Sequence, residues 1–339
     1  MVPLSVLDLS PVTSGASAAV ALHNSLDLAR FADQRGYTRY WVAEHHNLAS
    51  IASTAPEIMI GEIAAQTQHL RVGSGGIMLP NHAPLMVAER FKVLEALHPE
   101  RIDLGIGRAP GTDPITSIAL RRRQEIRADD DFLERLQELL LLETQGYGER
   151  HPLRAVRAMP ADVRLPPLWL LGSSDYSAEL AAAIGVGFSF AHHFATHDAV
   201  AAMRVYRDRF RPSVWRQRPY AILAVAVVCG PDDDEAERLA STPDLSFVRR
   251  AKGEYPPLAS PEEAATYPYT AAESAMIRQN RSRLLVGSPT TVRERLAALI
   301  EATGADELMI TSMIYEHELR KRSYELLARA FGVQPPGSA

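Results

Sequence analysis

Five short runs concentrate the residue types that could do chemistry. Glu44-His45-His46-Asn47 sets a carboxylate beside two imidazoles, and His192-His193 repeats the imidazole pair. Gly75-Gly76 and Gly107-Arg108 each follow an apolar run, and Gly172-Ser173-Ser174-Asp175, with Ser177 beyond it, opens a helical segment with hydroxyls. Imidazole titrates near neutrality, so His45 could act as a general base or donate a hydrogen bond to a ring-shaped ligand. Metal ligation is the second alternative: His45, His46, His192 and His193 together could hold zinc, as histidine clusters at strand ends do in barrels. Adjacent strand residues point to opposite sides, so at most one histidine of each pair can face a common site. Histidines simply hydrogen-bonded in loops are the third, and His23, His69, His98, His151 and His317 are read that way.

Arg108 and the serines suggest an anion site. A guanidinium, the hydroxyls of Ser173, Ser174 and Ser177, and the free N–H groups of a helix start suit a phosphate monoester. A plain serine N-cap with Arg108 in a surface ion pair is the alternative. Paired glycines at 75 and 76 permit positive φ or a bulge and let a flat ring approach the backbone, although an ordinary turn would also use them. Gly105-x-Gly107 resembles half of a dinucleotide fingerprint, but the third glycine falls at 111 and Pro110 interrupts the turn.

The elements that must position these groups alternate strand and helix about eight times, the mark of a parallel α/β architecture. Strands are expected at 4–9, 40–43, 70–74, 102–106, 168–171, 188–191, 221–228 and 307–311. Helices are expected at 18–35, 56–67, 84–97, 124–143, 173–184, 197–210, 289–303 and 319–331. This order favours a closed (β/α)8 TIM barrel, one domain over residues 1–339, in which active-site groups sit at the C-terminal ends of the strands. All five runs follow a strand and so converge on one mouth. The stretch 241–283, with prolines at 243, 256, 257, 261 and 268, breaks the rhythm. It reads as an insertion after the seventh strand, either a lid or a loose surface excursion.

Composition bounds the rest. The chain is 46% hydrophobic and 23% charged with a net charge of −5, which fits a globular protein and points to neither nucleic acid nor an anionic membrane. Cys229, the single cysteine, excludes an internal disulfide and a cysteine-based zinc site, and is expected to be a buried small hydrophobe. The start carries no signal-peptide pattern and no long apolar run is present, so a cytoplasmic location is expected.

The runs 40–47 (Tyr-Trp-Val-Ala-Glu-His-His-Asn), 72–84 (from Val-Gly-Ser-Gly-Gly to Asn-His-Ala-Pro), 88–91, 101–111 and 286–292 together resemble the luciferase-like monooxygenase superfamily, over essentially the whole chain. The likeness is to its non-luminescent oxidoreductases. It implies a TIM barrel that binds reduced FMN, with His45 as the base near the flavin. It also implies a non-prolyl cis peptide at Gly75-Gly76 against the ring, with Arg108, Ser174 and Ser177 on the phosphate. The expected reaction is a two-component monooxygenation of a small carbonyl-type substrate by O2, fed by a separate flavin reductase in a homodimeric enzyme. Ile58, Met59, Ile63 and Met86 are offered as the dimer surface or as core. F420-dependent hydride transfer on the same barrel is the main rival; a metal-dependent hydrolase and a non-catalytic flavin-binding protein are lesser ones. Luciferase carries a cysteine where this chain has Gly107, which argues against efficient light emission.

Overall fold

Short runs of β-branched, aromatic and leucine residues alternate with amphipathic segments closed by glycine or proline, and the chain folds accordingly. The computed structural model describes residues 2–109, 111–121 and 131–337. Its strands are β1 (Leu4–Asp8), β2 (Arg39–Val42), β3 (Arg71–Ser74), β4 (Ile77–Met78), β5 (Ile102–Gly107), β6 (Leu168–Gly172), β7 (Gly187–Ala191), β8 (Ala221–Cys229), β9 (Leu284–Gly287) and β10 (Glu307–Thr311). The helices are α1 (Ala18–Arg35), α2 (Pro56–Gln66), α3 (Pro84–Leu97), α4 (Pro114–Arg121), α5 (Phe132–Thr144), α6 (Asp175–Ile184), α7 (Ala199–Arg209), α8 (Asp233–Ala251), α9 (Pro261–Thr266), α10 (Ala271–Asn280), α11 (Pro289–Thr303) and α12 (His317–Ala330).

Eight parallel strands close a ring in the order β10-β1-β2-β3-β5-β6-β7-β8, with β8 pairing back to β10. This is the expected TIM barrel. Two elements extend it above the rim. β4 pairs with the end of β5, and β9 takes over as neighbour of β8 from Ala226 onward, where β10 stops. Neither was expected, because a two-residue strand and a short strand behind an insertion carry little periodicity of their own.

The barrel interior is layered. At its N-terminal end lies a buried ionic layer. Arg39 donates through Nε to Glu307 (3.0 Å) and through Nη1 to Asp103 (2.7 Å), while Arg71 donates to the other Asp103 oxygen (2.7 Å). Ser5, Trp41 and Tyr220 supply further donors to these carboxylates. Above it, Leu7, Trp41, Trp169, Ile222, Ala224 and Met309 form an apolar layer, with the two tryptophan rings edge to face at 5.5 Å. The larger core lies outside the barrel, between strands and helices, and includes Val6, Tyr40, Ile63, Phe91, Phe188 and Tyr206. The period of two along β2 divides Arg39 and Trp41 (inward) from Tyr40 and Val42 (outward).

The irregular stretch is ordered by its own packing. α8 starts at Asp233, before the expected boundary of 241, and runs through Pro243. Leu245, Ala259 and Ala264 form a small core under Tyr267 and Tyr269, and burial there outweighs the hydrogen bond that proline removes. A capping box at Thr270 and Glu273 then starts α10. Of the expected helix at 124–143, residues 124–130 lie outside the described residues, as does Pro110. Cys229 is buried and unpaired, as expected. The apolar quartet on the second and third helices divides: Met59 and Ile63 are core, whereas Ile58 and Met86 are exposed. No described helix is long and apolar enough to cross a membrane.

Burial alone would push the Asp103 carboxyl up, but Arg39 and Arg71 hold it below its ordinary 3.8. Its contribution to stability is therefore complete above that value and fades as pH falls through the lower folded one. Asp103→Ala leaves two guanidiniums without this partner and is expected to cost about 3–5 kcal/mol in urea unfolding. A loss below about 1 kcal/mol would mean that the layer does not brace the barrel.

Candidate functional site

The loop after β2 is organised by one carboxylate. Glu44 is fully buried and accepts from His46 Nε2 (2.9 Å), His82 Nε2 (2.9 Å) and the Met78 N–H (2.8 Å). Burial opposes its ionisation, but the bonds from His46, His82 and Met78 win and hold its pKa at about 2. It thereby ties the β2 loop to β4 and to the segment entering α3. The sequence reading included His82 in the 72–84 run but gave it no role, because it stands alone between two short apolar runs.

With His46 held by Glu44, His45 is left for the mouth. Its backbone N–H donates to Ser53 (2.9 Å) and its Nδ1 donates to the Gly111 carbonyl (3.2 Å). A carbonyl can only accept, so Nδ1 carries the proton and Nε2 of the neutral ring is a free acceptor. Burial pulls the His45 pKa down and Arg250 adds to this, against the Gly111 bond. His193 repeats the arrangement: its Nδ1 donates to Ala224 (3.2 Å), and burial lowers its pKa to about 4. Both histidines line a mouth cavity of about 540 Å³, together with Leu9, Ile51, Phe247 and Thr311. α8 and the segment after it form one wall of the cavity.

His45, His46, His192 and His193 are not gathered at metal-ligand spacing among the described residues. His46 bonds Glu44, and one ring nitrogen of each of the others bonds a backbone carbonyl. Among the described residues the one group with metal-like spacing is Asp27, His317 and Glu318, where Lys321 already bonds the Asp27 carboxylate. His317 thus has carboxylate neighbours that the sequence reading did not anticipate.

Gly75 and Gly76 are joined by a cis peptide. Neither takes a positive φ; close packing accounts for both. A Cβ on Gly76 would lie 2.8 Å from the Gly105 carbonyl oxygen, and one on Gly75 would lie 2.6 Å from Leu7. Gly107 ends β5 against Met78, whose sulfur would stand 2.8 Å from an added Cβ. A cysteine at 107 would require Met78 to move.

The anion residues come together across the β5–β6 pair. Ser174 is the N-cap of α6, yet its side chain accepts from none of the helix N–H groups. The first-turn amides are therefore left without a side-chain acceptor. Ser177 lies in that turn, packed on Gly172, and Arg108 stacks 4.7 Å from the ring centroid of Tyr176 in the same turn. Ser173 precedes the cap and is half-buried. Ser174 makes no side-chain cap bond, and Arg108 forms no ion pair among the described residues. Gly75, Gly76, Gly107, Arg108 and the three serines do not line the cavity; His45 does. The mouth thus has two sides, one at β5 and β6 with Arg108 and the serines, and a cavity side at β1, β2, β8 and β10.

Residues 2–307 match the family model described as luciferase-like monooxygenase. The uncharacterized protein YceB of Bacillus subtilis is 43% identical over 98% of this chain and all of its own. A luciferase-like monooxygenase of Escherichia coli K12 is 42% identical over 96% of each chain. The crystal structure of apo-MsnO8 superposes with a TM-score of 0.90 at 40% identity, covering 99% of this chain and 100% of that one. Two distant barrels share the fold alone. One is the oxygenating constituent of 3,6-diketocamphane monooxygenase from Pseudomonas putida in complex with FMN (TM-score 0.71, 21% identity, 97% of each chain). The other is an F420-dependent secondary alcohol dehydrogenase (TM-score 0.70, 13% identity, covering 98% and 99%).

Imidazole resonances followed by NMR should show His193 titrating at about 4 and His45 below the ordinary 6.5. Both folded values are lowered, so the unfolded chain takes these protons first. Stability should decline as pH falls below 6.5, the value of an unperturbed histidine. A His45 midpoint at or above 6.5 would contradict the neutral, Nε2-accepting ring.

Proposed function

The chain belongs to the luciferase-like monooxygenase family, and from that membership we propose that it is an FMN-dependent, two-component monooxygenase acting with O2 on a small organic substrate of carbonyl type. The observation that carries this reading is the first turn of α6, whose capping hydroxyl is unspent and beside which Arg108 stands. An FMN phosphate fits that turn: Ser174, Ser177 and the first-turn amides would donate to it, and Arg108 would add a charge-assisted bond. From there the ring system would extend towards Gly75-Gly76 and His45. Reduced FMN, when bound, supplies the electrons that activate dioxygen.

The protein's own part is positioning and proton handling. The neutral His45 ring, oriented by Gly111, offers Nε2 to accept a proton or a hydrogen bond from substrate. The cavity wall formed by α8 keeps substrate beside it and limits water. With Gly107 at the position where luciferase has cysteine, the reading is oxygenation without efficient light emission. A separate reductase would supply the reduced flavin. A cytoplasmic homodimer is part of the proposal, with the exposed Ile58, Met86, Val93 and Leu97 on α2 and α3 as the apolar contact.

Titration with FMN, reduced FMN and F420, followed by absorbance and fluorescence, tests the cofactor. FMN should bind, and Arg108→Ala should weaken it by about tenfold to a hundredfold, the value of a charge-assisted bond. His45→Ala should retain FMN but lose oxygenation across a panel of small carbonyl compounds. Tight binding of F420 with none of FMN would replace monooxygenation by hydride transfer.

A further inference from the structure

Among the described residues, the cavity beneath α8 is lined by more positive than negative charge. Three arginines line it, Arg249, Arg250 and Arg283, against one acidic residue, Glu254. Arg249 is held from outside by Glu263 (2.5 Å), and Arg283 donates to the Ala195 carbonyl (3.3 Å). Arg250 forms no ion pair among the described residues; the one attractive ionisable neighbour it feels is Tyr255. Two basic residues in the last turn of α8 suit the negative end of the helix dipole, but that accounts equally for either of them. It does not explain why Arg250 is turned into a cavity. Arg250 is an exposed residue that lines the cavity, and its charge acts on both His45 and His193.

A second group points to the same space. Thr311, at the end of β10, is 5% exposed, lines the cavity, and its Oγ1 has no hydrogen-bond partner. A buried hydroxyl left unsatisfied costs free energy that a ligand can recover. Most of the remaining wall is apolar, including Leu9, Leu48, Ile51, Phe247, Leu258 and Met313. About 540 Å³ lies within the range of small-molecule sites.

We propose that the substrate is a small amphiphilic carboxylate, its apolar body held by this wall, its carboxylate paired with Arg250, and a hydroxyl or carbonyl further along bonded to Thr311 beside His45. Carboxylate oxygens fit the planar fork of the Arg250 guanidinium. A phosphate dianion is better served by the first turn of α6. This deepens the monooxygenase reading by naming its substrate class, and depends on the cavity being the place where substrate binds.

Calorimetric titration of the full chain without flavin tests the subsite directly. Octanoate and phenylacetate serve as aliphatic and aromatic probes, each against its neutral amide, octanamide and phenylacetamide. At least one acid should bind about tenfold or more tightly than its amide, and the acid that does so identifies the body. Arg250→Gln should abolish that preference while leaving FMN affinity unchanged, and Arg250→Lys should retain part of it. 7-Oxooctanoate carries a carbonyl along its body, and Thr311→Val should weaken its binding while leaving that of octanoate unchanged. Equal affinity for acid and amide, no binding of either acid at millimolar concentration, or a preference that survives Arg250→Gln would each overturn the proposal. FMN binding is measured separately: failure to bind FMN with the carboxylate preference intact would overturn the cofactor reading and leave the subsite standing.

Discussion

A closed barrel of eight strands leaves its N-terminal interior sealed, and this chain places Arg39, Asp103 and Glu307 there, with Arg71 at the edge. Charges in such a place are tolerated only when each is paired and hydrogen-bonded. Arg39 on β2 satisfies both by joining β5 to β10, and the hydroxyls of Ser5 and Tyr220 complete the carboxylates. The pairing has a geometric consequence. Strands held at these positions can slip only by breaking an ion pair out of water, so the register of the ring is set at its base. The tryptophan layer then fills the middle, and everything above it is free to vary.

At the mouth a second buried carboxylate repeats the logic on loops. Glu44 gathers His46, His82 and the Met78 amide, and in doing so decides which of two neighbouring histidines meets the cavity. His45 is left with its Nδ1 on a carbonyl, a tautomer chosen by a backbone atom and not by another side chain. The same choice is made at His193. Two neutral rings with accepting nitrogens line the cavity beside Arg250. The phosphate site proposed at the α6 terminus lies outside that cavity. A reaction between a phosphorylated cofactor and an organic substrate would use such a division.

Much of this was legible in the residues. The alternation of strand and helix, the placement of the chemical runs after strands, and the serine-opened α6 all follow from local pattern. Local pattern holds because period-two and period-3.6 burial are properties of short segments. The irregular stretch was legible only as an interruption. Its prolines signal loops, yet Pro243 sits inside a helix, because Leu245 and its neighbours bury enough apolar surface to offset one lost hydrogen bond. Arg250 gave no signal at all: on a helix it is one charge among several, and its isolation from carboxylates is a fact about what other segments do not bring.

By itself, then, the amino-acid sequence determined the barrel, its mouth and the candidate residues Glu44 to His46, Gly75, Gly76, Gly107, Arg108 and Ser173 to Ser177. Periodicity and element order depend on neighbours a few residues away. Only the tertiary structure decided that Glu44 holds His46 and releases His45, that the histidine pairs are not gathered at metal-ligand spacing among the described residues, and that Arg250 and Thr311 line one cavity with His45. Those outcomes bring together residues 38 positions apart for the bonded Glu44 and His82, and far more for Thr311 and His45, which line one cavity. Burial and hydrogen bonding at that range are settled by closure of the ring, which no local segment contains.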